Sequence, residues 1–285
     1  MNKHYFISGL PRSGSTLLTS ILRQNPKFAT DISDPLHGYV KSITQVTNTA
    51  AGMDAAVPIE KRKRLMLALF DEFYRDCPPI RFNTNRGWSA ETPLLKDLFP
   101  DFKMIVCLRD VPWILDSFER LNSKNPHTIK PLYNHQDLSN VYDRSHMLMG
   151  AIPNAAGYVA GPLANVRHSM FCSERNQICY VEYDTLVKDP AGTMRQLYAF
   201  LNEPLFTHNF NSVENSYDEF DQQAKIVGLH TVRKKVEFEN RTTILPDDLW
   251  GHYSPNTFWK HNFEQVKRNL IWIQSRPTIN NNKQL

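Results

Sequence analysis

The chain has 285 residues, a formal net charge of +4, 41% hydrophobic and 22% charged residues. That is an ordinary globular composition with ample chain to bury a core. The positive balance suits an anionic ligand but falls short of a nucleic-acid-binding signature, and no apolar segment approaches membrane-spanning length. Residues 1–4 lead straight into an apolar run, leaving no room for a signal peptide. Cys77, Cys107, Cys172 and Cys179 lie far apart without metal-ligand spacing and read as reduced thiols of a cytoplasmic protein.

In chain order, the run 5–10 predicts a buried strand, and Gly9 and Gly14 bound a tight turn before a helix over 16–23 that ends at Asn25-Pro26. Residues 31–58 are mixed and polar, with helical stretches over 36–47. A charged amphipathic helix over 60–75 carries Leu65, Leu67, Leu69, Phe70 and Phe73, and Cys77-Pro78-Pro79 stops it. A short helix over 93–99 feeds the continuous apolar run 104–108, as expected of a parallel strand covered on both faces. Pro112 then opens a helix with Ile114, Leu115 and Phe118 on one side. Residues 137–149 look helical, and 153–165, rich in small residues, carry no clear element. A strand over 178–183, with Tyr183 alternating with Val181, precedes a helix over 191–201. The last third is irregular and polar, with a final helix near 258–273 and an Asn-rich tail, 276–285, that reads as disordered. This alternation argues for an α/β fold, a P-loop-like parallel sheet flanked by helices, forming a single domain over 1–275.

Two motifs carry chemistry. Strand, tight loop and helix N-terminus make an anion site, because the first N–H groups of a helix have no partner. Gly9, four residues, Gly14 and then Thr16 have the spacing of a phosphate-binding loop, but Ser15 stands where an ATP or GTP site has its lysine. The nearest cation is Arg12, inside the loop. The second motif is Arg109 at the carboxyl end of the strand 104–108, with Ser117 eight residues on, about two turns into the next helix. Both can reach the crevice where open α/β sheets bind ligands.

Residues 11–18, Pro-Arg-Ser-Gly-Ser-Thr-Leu-Leu, resemble the 5′-phosphosulfate loop of sulfotransferases that use 3′-phosphoadenosine-5′-phosphosulfate (PAPS). The arginine form is similar to tyrosylprotein sulfotransferases and many bacterial members. Arg109 and Ser117 resemble the family's 3′-phosphate site. Residues 181–190 are similar to its strand–turn segment, whose Tyr, here Tyr183, approaches the adenine. Residues 228–235 are similar to a segment that closes over the nucleotide in bacterial relatives. Trp250 and 258–260 echo the aromatic and basic end of the fold, whereas the Gly-rich ending of the cytosolic small-molecule enzymes is absent.

The resemblance implies a sulfotransferase fold and PAPS as donor, with adenosine 3′,5′-bisphosphate as product and no metal. It implies cofactor contacts at Pro11, Arg12, Ser13, Gly14, Ser15, Thr16, Arg109, Ser117, Tyr183, Arg233, Lys234 and Lys235. The acceptor is a small molecule or a peptide tyrosine. Relatives with a histidine base carry it between the two motifs, where residues 83–88 have none. The carboxylate used instead by tyrosylprotein enzymes maps to Asp34 or Asp31, and Arg86 falls near a second cation on the leaving group.

Plainer readings stand beside these. Asp31 and Asp34 can cap or turn the backbone before Pro35; Arg109 can pair with Asp110 or Asp116; Tyr183 can be core. The 233–235 run can be a solvated face. His37, His127, His135 and His230 lack partner spacing and read as structural or surface residues. Two other functions remain in view. A P-loop small-molecule or nucleotide kinase would use Mg²⁺, with Asp110 imitating its metal-binding acid. The other is a non-catalytic nucleotide-binding protein.

Overall fold

The computed structural model describes residues 2–49, 57–127, 130–133, 136, 138–153, 155, 157–214, 218–223, 226–260 and 270–273. Its centre is a six-stranded sheet. The strands are β1 (Lys3–Gly9), β2 (Phe28–Thr30), β3 (Ile80–Thr84), β4 (Lys103–Leu108), β5 (Ile178–Glu182) and β6 (Ile271–Trp272). They lie in the order β2-β3-β1-β4-β5-β6, and every pairing is parallel. Parallel pairing needs crossovers, and these are supplied by α1 (Ser15–Leu22), α2 (Leu36–Thr49), α3 (Ile59–Phe73), α4 (Thr92–Leu98), α5 (Val111–Lys124), α6 (Val141–Leu148), α7 (Ala160–Phe171), α8 (Tyr183–Lys188) and α9 (Pro190–Leu201). Two short helices follow, α10 (Asp218–Gln223) and α11 (Asp247–Tyr253).

Side-chain alternation splits the core into two layers. Phe6, Met104, Val106, Leu108, Ile178 and Tyr180 point into one cluster, while Tyr5, Ile7, Ile105, Cys107, Cys179 and Val181 point into the other. That is why these strands read as continuous apolar runs. From β1 the chain crosses to the edge strand β2 and returns to β3 beside β1, then passes over to β4 on the other side of β1 and builds on through β5 to β6. The order therefore reverses beside β1, and the crevice at the carboxyl ends of β1 and β4 is where a doubly wound sheet takes its ligand.

The structure departs from the sequence expectations in several places. β3 has no counterpart among the expected elements, because Arg81, Asn83 and Thr84 interrupt its apolar pattern; all three are buried between β1 and β2. The stretch 153–165, without a clear element in sequence, contains the start of α7 at Ala160, and α7 packs against the turn Arg86–Ala90. Tyr183 is not on the strand: β5 ends at Glu182, and Tyr183 begins α8. The final helix near 258–273 is replaced at its start by a 3-10 turn, Phe258–Lys260, and at its end by β6. There Ile273 N–H donates to the Tyr180 carbonyl (2.9 Å), so the open edge of β5 offers the backbone partners a helix would have supplied internally. Residues 261–269 of that expected helix and the tail 276–285 lie outside the described residues, as does residue 137. The helix expected over 137–149 begins at Val141, where the Asn140 side chain accepts from Asp143 N–H (2.9 Å).

Candidate active site

The turn after β1 can exist only with glycine at its mouth. A Cβ on Gly9 would lie 2.1 Å from the Cys107 carbonyl oxygen, because Leu10 N–H closes on that same carbonyl (3.0 Å). Arg12 has φ 55°, a left-handed conformation that a non-glycine residue adopts at a cost of about 1–2 kcal/mol. Ser13 is buried and its hydroxyl donates to the Leu10 carbonyl (2.6 Å), which holds the loop shut. Gly14, at φ 91°, precedes α1 without any side-chain cap. The first amides of α1, at Ser15 and Thr16, therefore open onto the loop as an anion-binding N-terminus.

The second motif closes on the first. Arg109 donates to the Arg12 carbonyl (3.0 Å), and the Arg12 Nε donates to the Ser117 hydroxyl (3.0 Å). The Arg109 guanidinium lies 4.3 Å from the Tyr183 ring centroid. Tyr183 also abuts Gly14, where a Cβ would meet its ring at 2.8 Å. Among the described residues, neither arginine has a carboxylate partner. Asp110 pairs with Lys260 (2.6 Å), and buried Asp116 pairs with Arg120 (2.9 Å) and Arg241 (2.8 Å). Desolvation, and next the charge of Arg109, push the Arg12 pKa down to about 10, and desolvation lowers that of Arg109. Both remain cationic at neutral pH.

Arg86 enters from the turn after β3. Ser8 Oγ donates to its carbonyl (3.1 Å), Asn85 N–H donates to the Ile7 carbonyl (3.0 Å), and the guanidinium lies 4.7 Å from the Tyr158 ring centroid. Arg12, Arg86, Arg109, Ser117, Gly14, Ser15, Thr16, Tyr183, Arg233 and Lys235 all line one cavity of about 350 Å³. Its lining holds six cationic side chains (with Arg241) against three carboxylates, Asp184, Glu237 and Glu239. The balance favours an anionic occupant.

Several sequence candidates lie elsewhere. Pro11, Ser13 and Lys234 are not in the cavity lining. Asp34 is 1% exposed, and Tyr74 OH (2.7 Å), Leu36 N–H (2.6 Å) and the Asn83 amide donate to it. Burial raises its pKa, opposed by those three hydrogen bonds. Trp88 Nε1 donates to the Asn83 carbonyl oxygen, so this carboxylate ties β3, α3 and the start of α2 together. Asp31 accepts from Ile32 N–H (2.7 Å). Neither acid lines the cavity. Arg233 pairs with Glu239, and Lys235 with Glu237 (2.6 Å), so both are exposed cations that already have partners.

His230 departs from the sequence expectation. It lines the cavity, and its Nδ1 lies 2.6 Å from the carboxylate of Asp221, nine residues earlier. Spacing alone hides this pair, because α10 and the turn after it fold back to bring the two together. His37 matches the structural reading, packing edge-on against Trp88 at 4.8 Å outside the cavity lining. His127 is exposed, and His135 lies outside the described residues. Among the described residues no group of three or more His, Cys, Asp or Glu could hold a metal, and no helix is long and apolar enough to cross a membrane.

The family model for the sulfotransferase family matches residues 5–208, spanning β1 through α9. The chain belongs to the sulfotransferase family. Its fold is similar to that of the sulfotransferase domain from the curacin biosynthetic pathway (17% identity, TM-score 0.52, covering 94% of this chain and 98% of that one). It is also similar to a sulfotransferase from Alicyclobacillus acidocaldarius (14% identity, TM-score 0.51, covering 79% and 93%). At such identities the likeness is one of fold. No curated protein matches the sequence. In this sulfotransferase-family chain both sequence motifs fall at the switch point of the sheet, and the fold expected from sequence is the one observed.

Proposed function

We propose that the chain transfers the sulfuryl group of PAPS to a hydroxyl or amine of a small molecule or a peptide tyrosine. The observation that carries this reading is the closure of the two motifs on each other. Arg12 hydrogen-bonds Ser117, and Arg109 hydrogen-bonds the Arg12 carbonyl, across 105 and 97 residues of chain. The donor set fits a ligand with phosphate groups at both ends: helix N-terminal amides and Arg12 for one, Arg109 and Ser117 for the other.

When bound, PAPS supplies a sulfuryl group whose bond to the 5′-phosphate oxygen is exchanged for one to the acceptor. The protein's part is positioning and charge stabilisation. Arg12 and the amides of α1 hold the phosphosulfate and take up charge that develops on its bridging oxygen. Arg86 adds a second cation from the β3 side. Arg109, braced on the Tyr183 ring, and Ser117 hold the 3′-phosphate, and Tyr183 borders the adenine. A sulfuryl group carries one negative charge fewer than a phosphoryl group, so fixed cations suffice where kinases recruit Mg²⁺. Asp110, engaged by Lys260, needs no metal to balance it.

Thermal unfolding, with the bisphosphate in EDTA and ATP with Mg²⁺ in its absence, tests the reading. Adenosine 3′,5′-bisphosphate at a hundred times its Kd should stabilise the chain by about 2.7 kcal/mol, and ATP with Mg²⁺ should not do so. Transfer from PAPS should survive the same chelator. Stabilisation by ATP with Mg²⁺ alone would move the chain to the kinases. Binding of the bisphosphate without any turnover of PAPS would leave a nucleotide-binding protein.

A further inference from the structure

We propose that His230, oriented by Asp221, is the general base that takes the proton from the acceptor as it attacks the sulfuryl group; this rests on the sulfotransferase reading above. Asp221 is 0% exposed and sits on α10. Its Oδ2 accepts from the backbone N–H of His230 (2.7 Å), and its Oδ1 lies 2.6 Å from the His230 Nδ1. An ionised carboxylate only accepts, so Nδ1 carries the hydrogen. The neutral ring then keeps its lone pair on Nε2, which has no hydrogen-bond partner among the described residues. Orientation of one imidazole nitrogen by a buried acid, with the other left for proton transfer, is the arrangement a histidine base needs.

The ring is also in the right place. His230 lines the cavity together with Arg12 and Arg86, and the carbonyl of Leu229, the preceding residue, accepts from the Arg12 guanidinium. The turn that carries the histidine is thus tied to the loop that would hold the phosphosulfate. Phe220 meets the ring edge-on at 5.4 Å and restricts its tilt. Burial lowers the His230 pKa most strongly, Asp221 raises it, and Arg86 and Arg12 lower it further. The net direction is downward from 6.5, so the ring is neutral at pH 7. Asp34 offers a contrast, since its oxygens are engaged inside the fold, outside the cavity lining.

The step balances without a further reactant. The acceptor's O–H or N–H proton passes to Nε2 while its lone pair bonds to sulfur. The bond from sulfur to the 5′-phosphate oxygen breaks with its electron pair and leaves adenosine 3′,5′-bisphosphate. The imidazolium, facing Asp221, then returns its proton to water.

The test uses the full chain with histidine labelled for NMR, and PAPS with water as the acceptor. His230 should be the Nδ1–H tautomer at pH 7 and titrate below its ordinary pKa. A charged ring or the Nε2–H tautomer would overturn the proposal. Release of adenosine 3′,5′-bisphosphate should rise with pH through that same pKa. His230→Ala should lower it by roughly 10²–10⁴-fold and remove the inflection. Binding of adenosine 3′,5′-bisphosphate should persist in that variant, and added imidazole should restore part of the rate. If His230→Ala fails to fold, Asp221→Asn should change the tautomer balance and shift the inflection. A variant that keeps the rate and inflection while still binding the bisphosphate defeats the base alone. A wild-type chain that does not bind the bisphosphate defeats the donor assignment instead.

Discussion

Arg12 and Arg109 lie at the carboxyl ends of buried strands, whereas Arg233 and Lys235 lie on the exposed segment that borders the other side of the cavity. Their surroundings are opposite. The first pair hydrogen-bonds to a carbonyl and a hydroxyl, with no carboxylate partner among the described residues, and desolvation lowers both pKa values. The second pair faces Glu239 and Glu237, and the Arg233 pKa is raised, chiefly by its hydrogen bond to Glu239. A partly desolvated cation without a counter-charge raises the energy of the empty site, and an anionic ligand relieves that cost. An exposed pair already screened by water and a carboxylate gains little from the same ligand. Position beside a cavity is therefore a poorer guide to ligand binding than what a charge lacks.

Substitutions can break this contrast. Arg12→Ala should show the largest effect, a loss of at least roughly 100-fold in PAPS turnover, about 3 kcal/mol, with the circular dichroism spectrum unchanged. Near-normal turnover in that variant would remove the loop from the mechanism. Arg109→Ala comes next, with a loss of about 1.5–3 kcal/mol in calorimetric affinity for adenosine 3′,5′-bisphosphate. Adenosine 5′-phosphosulfate, which lacks the 3′-phosphate, should lose far less; equal losses would mean that Arg109 only braces the Arg12 carbonyl. Ser117→Ala should cost about 0.5–1.5 kcal/mol with the same selectivity for the 3′-phosphate. Arg233→Ala and Lys235→Ala should each change affinity by no more than about 0.5 kcal/mol, an effect that weakens further in salt. A loss as large as that of Arg109→Ala would show that the Glu239 and Glu237 pairs open on binding, and that the two sets of cations do not differ in kind.

Much of the site is legible in sequence because its elements are local. Gly9, Arg12, Gly14 and Thr16 occupy one turn, and Arg109 and Ser117 one strand–helix step, so spacing and periodicity suffice to bring each set together. Residues 104–108 announce a parallel strand because both faces of β4 are covered. β3 is not legible in sequence because its polar residues are matched by partners far away in the chain. Asn83, for example, is satisfied by Asp34 and Trp88. Asp34 illustrates the reverse difficulty: an acid just after the first helix fits a base as well as a cap, and only its donors, Tyr74, Asn83 and Leu36 N–H, tell which oxygens are engaged.

By itself, the sequence determined the parallel α/β class, the glycine-bounded loop with Arg12 inside it and Ser15 where a lysine would stand, and the second motif at the end of β4. These follow from steric and hydrogen-bonding rules that act over a few residues. Tertiary structure alone decided that the two motifs meet through Arg12, that β6 pairs with β5, that Asp34 is tied into the fold, and that His230 faces the cavity with Asp221 behind it. Each of those outcomes depends on which distant donor, acceptor or charge folding brings near. Burial then sets how much the pairing matters, because a group removed from water must be satisfied by the chain or by a ligand.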